Sequence, residues 1–396
     1  MYSFNSNLKK EEYDKFVENY SMASFMQDYN WANVKDNWKS FHCGLYKNKK
    51  LVGVCLILVK KLLKNLNVFY IPRGYLIDFE NLEDLREMTK NVKALAKKNK
   101  AYMIKIDPNF CISDNGFKTS DVEHNYSNNF DIKHKNLLTL GYKYCGIQKD
   151  IHKNFQPQYN IFAPMCDTSS NILTKEEVLK HYNRIKSYMG AYQEKRGVSF
   201  HITDDISEVD KLVYLLKQTE KKQHINLRNK EYFLKIMKNY KGYSYLVFGS
   251  INLDKYKSFL EKENKLDLIN EVEELKKEYG NVLTLSGALI LLPKNKKGIR
   301  TSEYLYAGNN LNLNKLHVST ALVFEIIKFS IENNCHYCNL GGVNGTLDDR
   351  LTKFKQNFNG RIMEFAGEYD LPVSPIYYPI KLLYPIALKV YRKLKK

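Results

Sequence analysis

Basic side chains set beside aromatic ones, each near the end of a readable element, are the residues of this sequence best suited to chemistry. Lys35 stands one helical turn beyond Trp31 in SFMQDYNWANVK, so the two can share the end of a short helix. Arg73 is held between Pro72 and Gly74 in YIPRGYLIDF, with less freedom than a surface arginine, which suits a bidentate grip on an anion. Arg228 and Tyr232 in LRNKEYF are four apart at a helix start and share a face. Tyr304 and Tyr306 in EYLYAG are two apart in a strand and share one too. Tyr102 and Asp107 lie on one strand, five apart, hence on opposite faces unless the strand breaks at Pro108. In LTKFKQNFNG, read as extended, Lys353 and Lys355 share a face and Phe354 takes the other. Each has an ordinary alternative, a solvated lysine or a core tyrosine, and spacing alone does not choose between them.

Such a set offers anion binding and oxyanion stabilisation, not nucleophilic attack. GxSxG, HExxH, the P-loop and a GxGxxG after a strand are all missing. LGGVNG reads as a turn at a strand end. With no glycine-rich loop opening a helix to hold a pyrophosphate, a coenzyme A donor is disfavoured and no cofactor is expected. Cys335-His-Tyr-Cys338 has CxxC spacing but no second ligand pair nearby, so neither zinc nor redox chemistry is expected, and no metal site.

The elements that must position these residues fit a chain of 396 residues with 44% hydrophobic and 13% aromatic content, enough for two or three packed domains. Its 62 Lys and Arg against 43 Asp and Glu leave a net charge of +19, a field that attracts nucleic acid, nucleotide phosphates or anionic lipid headgroups, unless the lysines serve solubility only. Seven cysteines, most in apolar surroundings, read as a reduced cytosolic protein. The polar, charged N-terminus does not read as a signal peptide, and no stretch approaches 18 uncharged apolar residues.

Along the chain, FHCGLYKNKKLVGVCLILVKKLL reads as a hairpin with a buried second strand. EDLREMTKNVKALAKKNKAYMIKIDPNF follows as helix then strand, and Asp131–Gly146 as a linking helix and turn. A second, decorated series of the same kind starts near QPQYNIFAPM. Division near residue 150 into domains of 1–150 and 151–396 follows, with a short helical insertion at about 254–279 whose apolar stripe is Leu266, Ile269, Val272 and Leu275. The closing segment, about 376–396 (YYPIKLLYPIALKVYRKLKK within it), is apolar and basic, a composition that suits lying on a membrane surface.

SFMQDYNWANVK, YIPRGYLIDF, IKIDPN, NRIKSYMGAYQEKRGV, LRNKEYF, EYLYAGNN, LTKFKQNFNG and the following GEYDLP, in that order over nearly the whole chain, resemble the Fem family, tRNA-dependent aminoacyltransferases that build the interpeptide bridge of bacterial peptidoglycan. The resemblance implies an α/β fold of two GCN5-acetyltransferase-like domains, each a mixed sheet flanked by helices, in agreement with the duplicated unit. It also implies a helical arm in the second domain, here shortened. Carried over position by position, it makes Lys35 and Arg228, with Tyr232 beside them, contacts to the acceptor's phosphates. Tyr102, Asp107 and Tyr306 then line the acceptor groove, and Lys355, not Lys353, stands near the reacting centre.

The implied reaction joins an amino acid esterified to tRNA to the free amine of the third residue of the peptidoglycan stem peptide. The acceptor is either lipid II or UDP-MurNAc-pentapeptide, and peripheral contact with the inner face of the membrane would suit the former. An ester is already activated, so alignment of two anionic substrates and stabilisation of an oxyanion are what the protein must add. Lys355 suits the oxyanion and Asp107 is the best-placed carboxylate to take the amine's proton. Two rivals remain at this stage: a non-catalytic RNA-binding or membrane-surface protein, and an acyl-CoA-dependent acyltransferase.

Overall fold

The computed structural model describes residues 1–21, 23–63, 66–113, 130–182, 185, 188–223 and 227–383. Parts of NRIKSYMGAYQEKRGV, and residues 384–396 of the C-terminal segment, lie outside the described residues.

The first half supplies β1 (Tyr2–Asn5), α1 (Lys10–Glu18), α2 (Trp31–Val34), β2 (Lys39–Lys47), β3 (Lys50–Leu63), β4 (Leu66–Ile71), α3 (Leu82–Lys98), β5 (Ala101–Ile106), β6 (Cys111–Ser113), α4 (Phe130–Thr139) and β7 (Lys143–Tyr144). Strands β2 to β4 form an antiparallel meander, and α3 crosses over to place β5 parallel to β4. The helix starts where Asn81 caps the Asp84 amide, carries Glu83 and Asp84 in its first turn and Lys97 and Lys98 in its last, and buries Leu85, Met88, Val92 and Ala96. The run in β3 has no polar alternation because both its faces are covered. Cys55, Ile57 and Val59 pack in the core that includes α3, while Leu56 and Leu58 pack against residues of the second half.

The second half continues with β8 (Tyr159–Pro164), α5 (Lys175–Lys180), α6 (Ala191–Lys195), β9 (Val198–Thr203), α7 (Val209–Gln223), α8 (Lys230–Asn239), β10 (Ser244–Asn252), α9 (Leu253–Lys262), α10 (Ile269–Tyr279) and β11 (Val282–Leu291). It ends with β12 (Thr301–Asn309), α11 (Val318–Glu332), β13 (Tyr337–Val343), α12 (Arg350–Gln356), β14 (Arg361–Phe365) and β15 (Tyr369–Pro372). The plan repeats: β10 to β12 form an antiparallel meander, and α11 crosses over to place β13 parallel to β12. The expected insertion is the pair α9 and α10, whose Tyr256, Leu260, Val272 and Leu275 share a small core, while Leu266 is exposed.

A seven-stranded sheet of order β1-β2-β3-β4-β5-β15-β7 and an eight-stranded one of order β6-β14-β8-β13-β12-β11-β10-β9 result. Strand pairing crosses the division near residue 150 twice. β6 leaves the first half to pair with β14, and β15 returns from the end of the second half to lie between β5 and β7. A third apolar core joins the halves: Trp31, Val34, Leu58 and Tyr70 of the first pack with Leu215, Phe233, Met237 and Leu289 of the second.

LTKFKQ is helical, not extended as its alternation predicts. The Asp349 side chain accepts the Leu351 and Thr352 amides and nucleates α12, and Phe358 beyond the helix is fully buried against Phe354 and Tyr182. On a helix, residues two apart point in different directions, so Lys353 and Lys355 separate: the first is exposed, the second buried. Gly360 lets the chain turn back tightly, since a Cβ there would stand 2.5 Å from the Lys355 carbonyl oxygen.

Candidate active site between the two sheets

Lys35 sits at the C-terminal end of α2, where its ammonium lies 4.9 Å from the centre of the Trp31 ring and 4.9 Å from that of Tyr232. Arg228 approaches the same tyrosine from the other half of the molecule, its guanidinium 5.3 Å from the ring centre. Arg228 precedes α8, capped by Asn229, so the loop and not a shared helix face brings it to Tyr232. The Tyr306 hydroxyl donates to the Tyr232 hydroxyl at 3.3 Å, and both rings stand edge-on to the buried Phe233. Among the described residues no carboxylate pairs with Lys35 or Arg228. Burial, and then the charge of Arg228, lowers the Lys35 ammonium to about 8. Two like charges held together without a counter-charge are an arrangement suited to an anion.

The Tyr304 and Tyr306 side chains do not share a face, contrary to the simple alternation. Leu289 and Ile290 of β11 oppose Tyr306 and Tyr304, so Leu305 is the extra residue of a bulge. Tyr306 therefore turns toward Tyr232 and the inter-domain core, and Tyr304 packs against the core of the second sheet.

Three residues before Tyr306, about 10 Å along β12 at roughly 3.3 Å per residue, the sheet opens. β12 and β13 pair only over Thr301–Glu303 and Tyr337–Asn339, after which β13 bulges through Leu340 and Gly341 before pairing again with β8 at Gly342. Gly341 has φ +87°, a conformation that L side chains rarely adopt. The Asn339 side chain holds the bulge by accepting the Gly341 amide at 2.9 Å and donating to the Glu303 carboxylate at 2.9 Å. Lys355, only 6% exposed, reaches into this opening and donates to the Gly342 carbonyl at 2.9 Å. Burial lowers its ammonium to about 7, with the charge of Asp349 opposing. LGGVNG, read from sequence as a turn, is thus the end of β13 that lies against Lys355.

Asp107, at the end of β5, accepts the Arg73 amide at 2.9 Å through Oδ1, while its buried Oδ2 has no partner among the described residues. Burial raises this carboxyl to about 7, and the Arg73 charge works against the rise. Arg73 adopts φ +57°, its carbonyl accepts from the Gln27 side chain, and its guanidinium lies 4.4 Å from the ring centre of Phe365 in the second sheet. Facing it across the same cleft is Glu303, which burial raises to about 8 against the pull of Arg73. Hydrogen bonds link Asp107 to Arg73, and Glu303 through Asn339 to Gly341, while Arg73 and Glu303 line one cleft and Lys355 holds the neighbouring Gly342 carbonyl.

Of the residues singled out from sequence, Lys35, Arg228, Tyr232 and Tyr306 come together at one place, and Arg73 and Asp107 at another. Tyr102 lies apart from both. It is the extra residue of a bulge against β4 and is buried with Val68, Met103 and Tyr377. Glu303 and Asn339 were missed, although an acid inside the otherwise apolar EYLYAG strand was a visible signal. A second omission is the buried network in which Lys105 pairs with Glu368 at 2.6 Å and Asp370 at 2.7 Å, and Lys381 with Asp370 at 2.6 Å. It ties the C-terminal segment to the first sheet.

With the geometry fixed, comparison with known proteins places the chain. A lipid II:glycine glycyltransferase of Staphylococcus epidermidis is 25% identical over 437 aligned positions, covering 98% of this chain and 99% of the relative. The aminoacyltransferase FemA of Staphylococcus epidermidis is 23% identical over 441, covering 99% of each. In three dimensions the chain resembles the crystal structure of FemX, with a TM-score of 0.77 and 22% identity over 96% of this chain and 99% of that one. It also resembles a tandem GNAT protein from the clavulanic acid biosynthesis pathway, with a TM-score of 0.53 and 6% identity over 95% and 99%. The fold is that of two GNAT-like domains. Residues 8–268 and 266–384 match the FemAB family, to which this chain belongs.

Proposed function

We propose that this aminoacyltransferase moves an amino acid from aminoacyl-tRNA to the amine of the third residue of a peptidoglycan stem peptide, with lipid II as the acceptor. The observation that carries this reading is the pairing of two features about 10 Å apart along β12: an uncompensated cation pair on Tyr232 and a buried ammonium in an open strand pair. Lys35 and Arg228 would hold the acceptor's diphosphate from both halves of the molecule. The opening between β12 and β13 would admit the esterified 3′ end of tRNA.

The amine nitrogen attacks the ester carbonyl carbon, and the carbonyl π electrons move onto oxygen. The Lys355 ammonium stabilises that oxyanion, and Asp107 takes the proton leaving the amine. Collapse restores the carbonyl, breaks the carbon–oxygen bond to ribose and leaves an amide, with the ribose oxygen taking up a proton. The names of the relatives support lipid II as acceptor, and the basic surface of the chain, net charge +19, suits a tRNA donor.

The test is incubation with a mixture of charged tRNAs, or with acetyl-CoA, in the presence of lipid II or of the UDP-linked precursor, with products weighed by mass spectrometry. The reading expects an acceptor heavier by one aminoacyl residue only when charged tRNA is present. Acetylated product, or salt-sensitive tRNA binding with no amide formed, overturns it.

A further inference from the structure

Large apolar side chains are exposed in two segments that meet. Leu62 and Leu63, the latter 68% exposed, end β3 where its hairpin with β4 runs past the sheet. Ile376, Tyr378, Leu382 and Leu383, with Leu382 72% exposed, lie in the segment after β15. Leu63 is directly opposite Leu66, and Leu66 packs on the same cluster as Ile380 and Tyr377, so the two strips are neighbours on one face. The second strip is firmly held: Lys381 pairs with the buried Asp370, and the Tyr377 hydroxyl donates to it at 3.1 Å.

The stretches of sequence that carry these leucines are basic. Neither residues 51–77 nor residues 371–396 contain an acid, whereas the exposed Lys60 and Lys61 directly precede Leu62 and Leu63, and in sequence Lys64 and, further on, Lys389, Arg392, Lys393, Lys395 and Lys396 add to the basic run. Lys60 also links the patch to the cation pair. Its ammonium lies 5.8 Å from the ring centre of Trp38, whose amide donates to the Lys35 carbonyl at 2.8 Å. Among the described residues no helix is long and apolar enough to cross a membrane. Apolar side chains within a cationic surround are what an anionic bilayer surface accepts: leucines enter the interface and lysines meet the headgroups.

We propose that the end of the β3–β4 hairpin and the segment 376–383 form a membrane-docking surface that seats the protein on anionic lipid. It stands beside the Lys35 end of the acceptor groove, so that a lipid-linked diphosphate can reach Lys35 and Arg228 while its lipid chain stays in the bilayer. The lipid-linked acceptor rests on the function proposed above; binding to the bilayer does not.

Cosedimentation of the full-length protein with vesicles of phosphatidylcholine, with and without phosphatidylglycerol, tests it alongside the double variant Leu63→Glu/Leu382→Glu. Wild type should bind the anionic vesicles preferentially and lose binding with added salt. The double variant should bind at least about tenfold more weakly, the order expected for losing apolar burial of two leucines, with its melting midpoint and its transfer to the soluble UDP-linked acceptor unchanged. Equal binding to both vesicle types, or wild-type binding by the variant, overturns the proposal. So does a lowered melting midpoint in the variant, which would show these leucines to be packed under the chain's own residues 384–396. Should no acceptor of either kind be modified while vesicle binding behaves as expected, the transfer reaction fails and the docking surface stands.

Discussion

The two halves carry the same parallel strand pair in different states. In the first, β4 and β5 pair from Asn67 and Ala101 to Ile71 and Ile106, and β15 covers the other edge of β5. In the second, β12 and β13 part after three residue pairs, and a lysine occupies the opening. One copy has been closed and made a wall, with Phe69 and Ile104 in its core. The other has been kept open, its edges held by Asn339 and its geometry permitted by Gly341. The repeated plan thus supplies one closed strand pair and one opened one, and Arg73, lying over Phe365 and lining a cleft with Glu303, stands between them.

Substitutions can break this contrast. The largest effect belongs to the closed pair: Phe69→Ala should cost about 3–5 kcal/mol of folding stability, read by denaturant unfolding, while the folded fraction keeps its turnover number. Next, Lys355→Met should lower single-turnover transfer about a hundred- to a thousandfold, the cost of an oxyanion donor, and leave acceptor affinity near wild type. Lys353→Met, on the exposed side of α12, should change neither. Lys35→Met or Arg228→Met should each raise the acceptor's Kd about tenfold or more, the value of a hydrogen bond to a charged group, with saturated turnover retained. Unchanged titration binding in both would remove the diphosphate clamp. Gly341→Ala, at a positive φ, should add about 1–2 kcal/mol of strain where the strands part and reduce turnover about tenfold.

The pH dependence is the finest discriminator. Asp107 is charged only above about 7 and Lys355 only below about 7. A free-enzyme kcat/KM profile should therefore rise as Asp107 loses its proton and fall as Lys355 loses its own, peaking near neutrality. Asp107→Asn should abolish the rising limb and spare the falling one. A rising limb that survives the substitution assigns the proton to another group, with Glu303 the nearest alternative.

Sequence periodicity read the first hairpin, the crossover helices and the duplicated plan well, because each element buries a face with its own repeat, but it passed over β4, whose LNVFYI run ends in the turn at Pro72. What it missed depends on one residue too many. The bulge at Leu305 parts Tyr304 from Tyr306, the bulge at Tyr102 turns that ring toward Tyr377, and the bulge at Gly341 opens the site. Alternation assumes that no residue is extra, so each such place is misread by construction. LTKFKQ failed for a different reason: two lysines flanking a phenylalanine fit strand alternation, and the Asp349 cap that decides for helix lies just upstream. The resemblance to a known family singled out Lys355 where spacing could not, and burial explains why that lysine differs from Lys353.

β15 also bears on how the molecule is made. The first sheet keeps a gap between β5 and β7 until Tyr369–Pro372 has left the ribosome, by which point almost all of the 396 residues have been translated. Most multidomain chains fold their leading domain while the rest is still being synthesised. Here the leading half must wait, holding an unpaired strand edge until the trailing end arrives to complete it.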